Sequence, residues 1–134
     1  MNKQIIVKSI AFAGMTALLG GCMEASSEPQ PDYGKQVSIA GRYSLYDKGQ
    51  FIQPCGSGVA YWTILSEDDA ARVQALSRQK FREQNYGQLY VEVTGTLHPS
   101  DPAQAESMNF MAILKVGKVS KLSKVIPEGC TNPG

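Results

Sequence analysis

GRYSLYDKGQFIQPCGSGVAYW, residues 41–62, decides the fold. Two turn signals cut it into three short strands. Val37, Ile39, Gly41, Tyr43 and Leu45 share one face by the period of two, and Arg42 and Ser44 take the other, so the first strand spans 37–46. Asp47-Lys48-Gly49 is a hairpin signal, with glycine available for positive φ. Phe51 to Gln53 is a short second strand, and Pro54 ends it because proline cannot donate to a ladder. Cys55-Gly56-Ser57-Gly58 is a second turn. Val59 to Leu65 is the third strand, alternating Val59, Tyr61 and Thr63 against Ala60, Trp62 and Ile64.

Downstream the period changes. Ser66 precedes Glu67, Asp68 and Asp69, a capping hydroxyl followed by three acids that suit the positive end of a helix. Ala70, Val73, Leu76 and Phe81 form the expected buried stripe, and the helix should end near Asn85, before Gly87. In residues 88–98, Leu89, Val91, Val93, Gly95 and Leu97 alternate with Tyr90, Glu92, Thr94, Thr96 and His98. Residues 99–107 (PSDPAQAES) read as a loop. A fifth strand is expected over 108–118, with Phe110, Ala112, Leu114 and Val116 on one face, followed by a polar tail. The fold class is therefore mainly β with one helix. The order β-β-β-α-β-β is that of an OB-like five-stranded barrel, with the helix plugging one end. A half-barrel sheet packed by one helix is the alternative.

The chain has 134 residues, room for one globular domain. Setting aside Lys3 and Lys8, which fall in the N-terminal leader, leaves 11 of the 13 basic residues against 12 acidic ones. That balance argues against a nucleic-acid partner, which would call for a basic excess.

Residues 1–21, MNKQIIVKSIAFAGMTALLGG, have a positive start and a short apolar run, as a secretory signal does. Leu19-Gly20-Gly21-Cys22 resembles the lipobox of bacterial lipoprotein precursors. The resemblance implies cleavage before Cys22 and acyl chains, palmitate among them, on that residue, enough for stable anchoring to the membrane. Met23 stands where an inner-membrane retention signal would place Asp, so the expected address is the periplasmic face of the outer membrane, with surface exposure an option. Residues 22–36, rich in polar residues and proline, read as a flexible tether, and residues 37–134 as the OB-like domain.

With Cys22 acylated, Cys55 and Cys130 are left as an even pair in an exported protein, which favours a disulfide. Its reading is a structural staple or a redox-sensing bond. Gly41-x-Tyr43, Asp47, Phe51, Cys55-x-x-Gly58, the helix, Val91-x-Val93-x-Gly95 and the final cysteine resemble the C-terminal OB-fold domain of NlpE-type envelope lipoproteins, over most of residues 38–130. The resemblance implies the OB fold, a Cys55–Cys130 disulfide, and a role in reporting surface contact, lipoprotein trafficking faults or copper stress to an inner-membrane sensor kinase. The expected chain lacks that family's N-terminal barrel and its Cys-x-x-Cys pair, which leaves the roles assigned to that domain outside what matches.

No catalytic residue and no cofactor is expected. His98 is the only histidine, and one imidazole supports neither a zinc site nor a Ser-His-Asp arrangement. Glu67, Asp68 and Asp69 read as a solvated helix cap. Lys115, Lys118, Lys121 and Lys124 recur every three residues, so a period of two would send them to opposite faces. Arg42, Tyr46, Trp62 and Tyr90 are candidates for an outward face of the kind on which OB folds hold ligands. The expected function is a non-enzymatic outer-membrane lipoprotein whose domain binds an envelope protein or glycan, with a part in envelope stress sensing. The alternatives are inhibition of a periplasmic hydrolase through loop 99–107, and metal or redox sensing.

Overall fold

A computed structural model describes residues 32–130. The signal segment, Cys22 and most of the tether lie outside the described residues. Five strands, β1 (Gln36–Tyr46), β2 (Gly49–Pro54), β3 (Tyr61–Ile64), β4 (Leu89–His98) and β5 (Ala112–Ser123), close into a barrel in the order β1-β2-β3-β5-β4. One α-helix, α1 (Glu67–Gln84), connects β3 to β4. β1 pairs antiparallel with both β2 and β4. β3 and β5 close the ring in parallel. This is the OB-like barrel expected from the order of elements, not the half-barrel.

Alternation fills the interior. Tyr43, Ile52, Leu89, Val91, Val93, Leu97, Ala112, Leu114 and Val116 make one buried cluster, which Val73 of α1 joins. The helix begins as its cap predicts: the Ser66 hydroxyl accepts from the Asp69 N–H at 3.2 Å. It ends at Asn85, which is left-handed (φ 65°) and donates its N–H to the Phe81 carbonyl.

The helix face differs from expectation. Val73, Ser77 and Lys80 are its buried positions, whereas Phe81 is 58% exposed. Residues 73, 77 and 80 follow the i, i+4, i+7 row, and residue 81 lies about 80° round the helix from residue 73. Lys80 fits the buried row because its stem packs while its ammonium donates to the Gln88 carbonyl and lies 4.4 Å from the Tyr86 ring centre. Ser77 donates to the Gly87 carbonyl at 2.7 Å. Burial lowers the Lys80 pKa.

β5 also departs from the expected 108–118. It starts at Ala112 and continues to Ser123, taking in the supposed tail. Against β4 it carries two irregularities. Thr94 pairs with Lys118 but Gly95 with Val116, leaving Gly117 over; Glu92 pairs with Lys121 but Val93 with Val119, leaving Ser120 over. Each extra residue restores the inward face. Leu114, Val116, Val119 and Leu122 all face β4's inward residues, and Lys115, Lys118 and Lys121 all point outward and are exposed. The period-of-two argument that scattered these lysines is corrected by the two bulges. Gly95 permits the first of them, since a Cβ there would sit 2.3 Å from the Lys115 carbonyl oxygen.

Candidate functional site

The outer surface of β1, β2 and β3 carries a cluster of four aromatic rings. Register places Ser44 beside Phe51, and Phe51 beside Trp62, so the parity that sends Tyr43, Ile52 and Tyr61 inward sends their neighbours out. Tyr46 meets Phe51 edge-on at 5.9 Å between ring centres and Trp62 at 6.4 Å. Phe110 lies against both Phe51 (5.4 Å) and Trp62 (5.7 Å). Such offset and edge contacts suit the ring quadrupoles.

Phe110 was expected inside the barrel, in register with Ala112 and Leu114. It lies outside because the strand has not yet begun there. Residues 99–111 fold over the aromatic face, with a 3-10 turn at Ala105–Asn109. Ser107 holds this loop together: fully buried, it accepts from the Asp101 N–H at 2.9 Å and donates to the Asp101 carbonyl at 3.1 Å. Ser100 donates to the Phe110 carbonyl at 3.0 Å, and the Met111 N–H donates to Ala60 at 3.4 Å. The Trp62 indole N–H donates to Gln104 at 3.3 Å. An exposed Lys48–Glu106 pair at 3.7 Å adds little on its own. The segment considered for an inhibitory loop is thus folded down onto Trp62.

The four candidate face residues do share the outer surface, but in two pairs. Tyr46 and Trp62 belong to the aromatic cluster. Arg42 and Tyr90 sit opposite one another on β1 and β4. Trp62 and Tyr90 are each only 9% exposed, whereas Tyr46 is 37% exposed. Arg42 donates to Gln53 at 2.9 Å and to Gln88 at 3.4 Å; Gln88 in turn donates to Ser44 at 2.8 Å. The Tyr90 hydroxyl donates to Glu92, and that bond, with burial, raises its pKa. Burial and the Glu106 carboxylate raise that of Tyr46. Tyr46 is the exposed ring of the cluster; Met108 and Met111, on either side of Phe110 in sequence, are 55% and 53% exposed.

Sequence reasoning missed Phe51 and Phe110 as members of this face. Phe51 was legible as the residue alternating with Ile52; Phe110 was hidden by an apolar rhythm that runs on unbroken into β5.

Cys55 and Cys130 are disulfide-bonded with their Cα atoms 4.2 Å apart, so the segment after β5 is fixed to the turn after β2. His98 Nε2 lies 2.8 Å from the Thr96 hydroxyl. Among the described residues, no three His, Cys, Asp or Glu side chains converge as a metal site would need, and no helix is long and apolar enough to cross a membrane. Compared with known proteins, the chain matches no family model, and neither a curated protein nor a solved structure is significantly similar to it.

Proposed function

We propose that this chain is a non-enzymatic lipoprotein of the outer membrane, anchored through acyl groups on Cys22, whose OB-like barrel holds an envelope protein or glycan against its aromatic face. The observation that carries the binding role is the ring cluster on β1, β2 and β3, with Tyr46 as its exposed ring. Tyrosine and tryptophan side chains give large contact area at low entropic cost, and OB folds use this side of the barrel for ligands. The anchor rests on Leu19-Gly20-Gly21-Cys22.

The stress-reporting role rests on the resemblance to NlpE-type lipoproteins. The Cys55–Cys130 bond supports it chemically, since a staple that forms only under oxidising conditions links the state of the domain to the state of the envelope.

The test is a pull-down of the native lipoprotein from cross-linked envelopes, beside Cys55→Ser and Tyr46→Ala variants. Recovery of a sensor kinase or a lipoprotein-sorting component, lost in both variants, supports stress reporting. A glycan captured through Tyr46 supports the binding face without the signalling role. A hydrolase captured and inhibited would replace this reading with the inhibitor.

A further inference from the structure

The two bulges in β5 keep its apolar residues on the inward face, and by the same shift they turn three lysines to one outer side. Along β4 the outward residues Thr96, Thr94 and Glu92 pair with Lys115, Lys118 and Lys121. Successive lysines therefore stand about 7 Å apart, two strand residues each. Glu92 offsets part of the charge at Lys121, whose ammonium lies 5.9 Å from the Tyr90 ring centre. Lys115 and Lys118 flank a shallow groove of about 400 Å³ that Gln36, Thr94 and Thr96 also line.

The chain enters the domain at this same end. Tyr33 bridges to Leu97, and the Gly34 N–H donates to the Leu97 carbonyl at 2.8 Å. Gln36, the first residue of β1, pairs with Thr96, which also pairs with Lys115. Ten peptide links join Cys22 to Asp32. Fully extended they reach at most about 35 Å, so a barrel held at Cys22 stays within a molecular diameter of the bilayer.

We infer that the Lys115–Lys118–Lys121 stripe is a membrane-facing surface that rests on the phosphates of anionic phospholipids. This rests on the anchor reading above. The stripe converts a tether, which fixes distance alone, into a contact that also fixes orientation. β5 borders β3 only over Ala112–Lys115, so Lys118 and Lys121 lie beyond the end of that pairing, away from the rings of Tyr46, Phe51 and Trp62. Juxtamembrane lysines gain from the negative surface potential, and the gain fades within a Debye length and with salt.

The experiment uses the native lipidated chain, purified and reconstituted into vesicles of phosphatidylcholine alone or mixed with phosphatidylglycerol. A brief pulse of an amine-acetylating reagent is read by mass spectrometry at each lysine, with Lys48 on the aromatic side as internal reference. The stripe predicts that Lys115 and Lys118 react about fivefold more slowly in the anionic vesicles only, and recover at high salt, while Lys48 is unchanged. Equal rates in both vesicles, or protection that is the same in neutral lipid, overturn the inference. Protection found only in whole envelopes and kept in detergent assigns the stripe to a protein or glycan and overturns it too. The anchor is read separately from the intact mass of the chain. An unacylated Cys22 defeats the anchor reading, and the same footprint with added anionic vesicles then still decides whether the stripe binds them.

Discussion

Trp62 and Phe110 face each other at 5.7 Å between ring centres, joining the middle of β3 to the last turn of the loop that precedes β5. That contact closes residues 99–111 over the outer face of the barrel. Trp62 is the only tryptophan in the chain, so its fluorescence reports directly on the loop. Phe110→Ala is expected to shift the emission to the red, raise quenching by acrylamide, and cost about 2 kcal/mol, less than a full core truncation because Phe110 is only half-buried. An unchanged spectrum would mean that the loop is held without the ring.

Gly49 lies at φ +152°, and a Cβ there would sit 2.2 Å from the Trp62 ring. Gly49→Ala should therefore destabilise the domain by roughly 2 kcal/mol and perturb Trp62. The neighbouring Lys48→Ala removes only an exposed ion pair and should cost under about 0.5 kcal/mol. Urea denaturation of the two variants, followed by tryptophan emission, separates the turn's backbone demand from its charge.

The disulfide joins positions 75 residues apart. On the chain-entropy account, reduction or Cys55→Ser with Cys130→Ser should lower stability by about 4 kcal/mol. A midpoint in urea that is the same with and without reductant would refute the staple.

How far all this was readable beforehand depends on the local rhythm. The first three strands could be placed because Gly49 and the Pro54–Gly58 stretch punctuate them, and β4 because Leu89 to His98 alternates without a break. β5 could not be placed so well. Phe110 extends the inward rhythm of Ala112, Leu114 and Val116 backwards across a loop. Gly117 and Ser120 then break the rhythm forwards, so that Val119 and Leu122 look like parts of a polar tail. A bulge arises from pairing with another strand, and the lysine stripe that depends on it has no local signature. Lys80 was missed as a buried residue for a similar reason, since its partner is a backbone carbonyl on the segment leading into β4.

Tyr43 gives a pH dependence with a defined sign. Burial raises its pKa well above the ordinary value near 10, with Arg78 and a hydrogen bond from Gln74 opposing in part. A raised folded pKa contributes stability that is fully present below pH 10 and is lost as pH rises above it, at about 1.4 kcal/mol per unit for one proton. Lys80, whose pKa is lowered by burial, works in the opposite sense, its cost easing as pH rises toward the ordinary lysine value of 10.5. The difference between the parent and Tyr43→Phe isolates the tyrosine. The variant should lose less stability between pH 10 and pH 11 in urea titrations, and parallel curves would contradict the assignment.

The binding role of the aromatic face is tested most directly by a photo-cross-linking residue placed at Tyr46 in the anchored chain within native envelopes, with the same residue at the exposed Arg82 of α1 as control. The account predicts a discrete protein or glycan adduct from position 46 that is absent from position 82. The same adducts from both positions, or none from position 46, would contradict it.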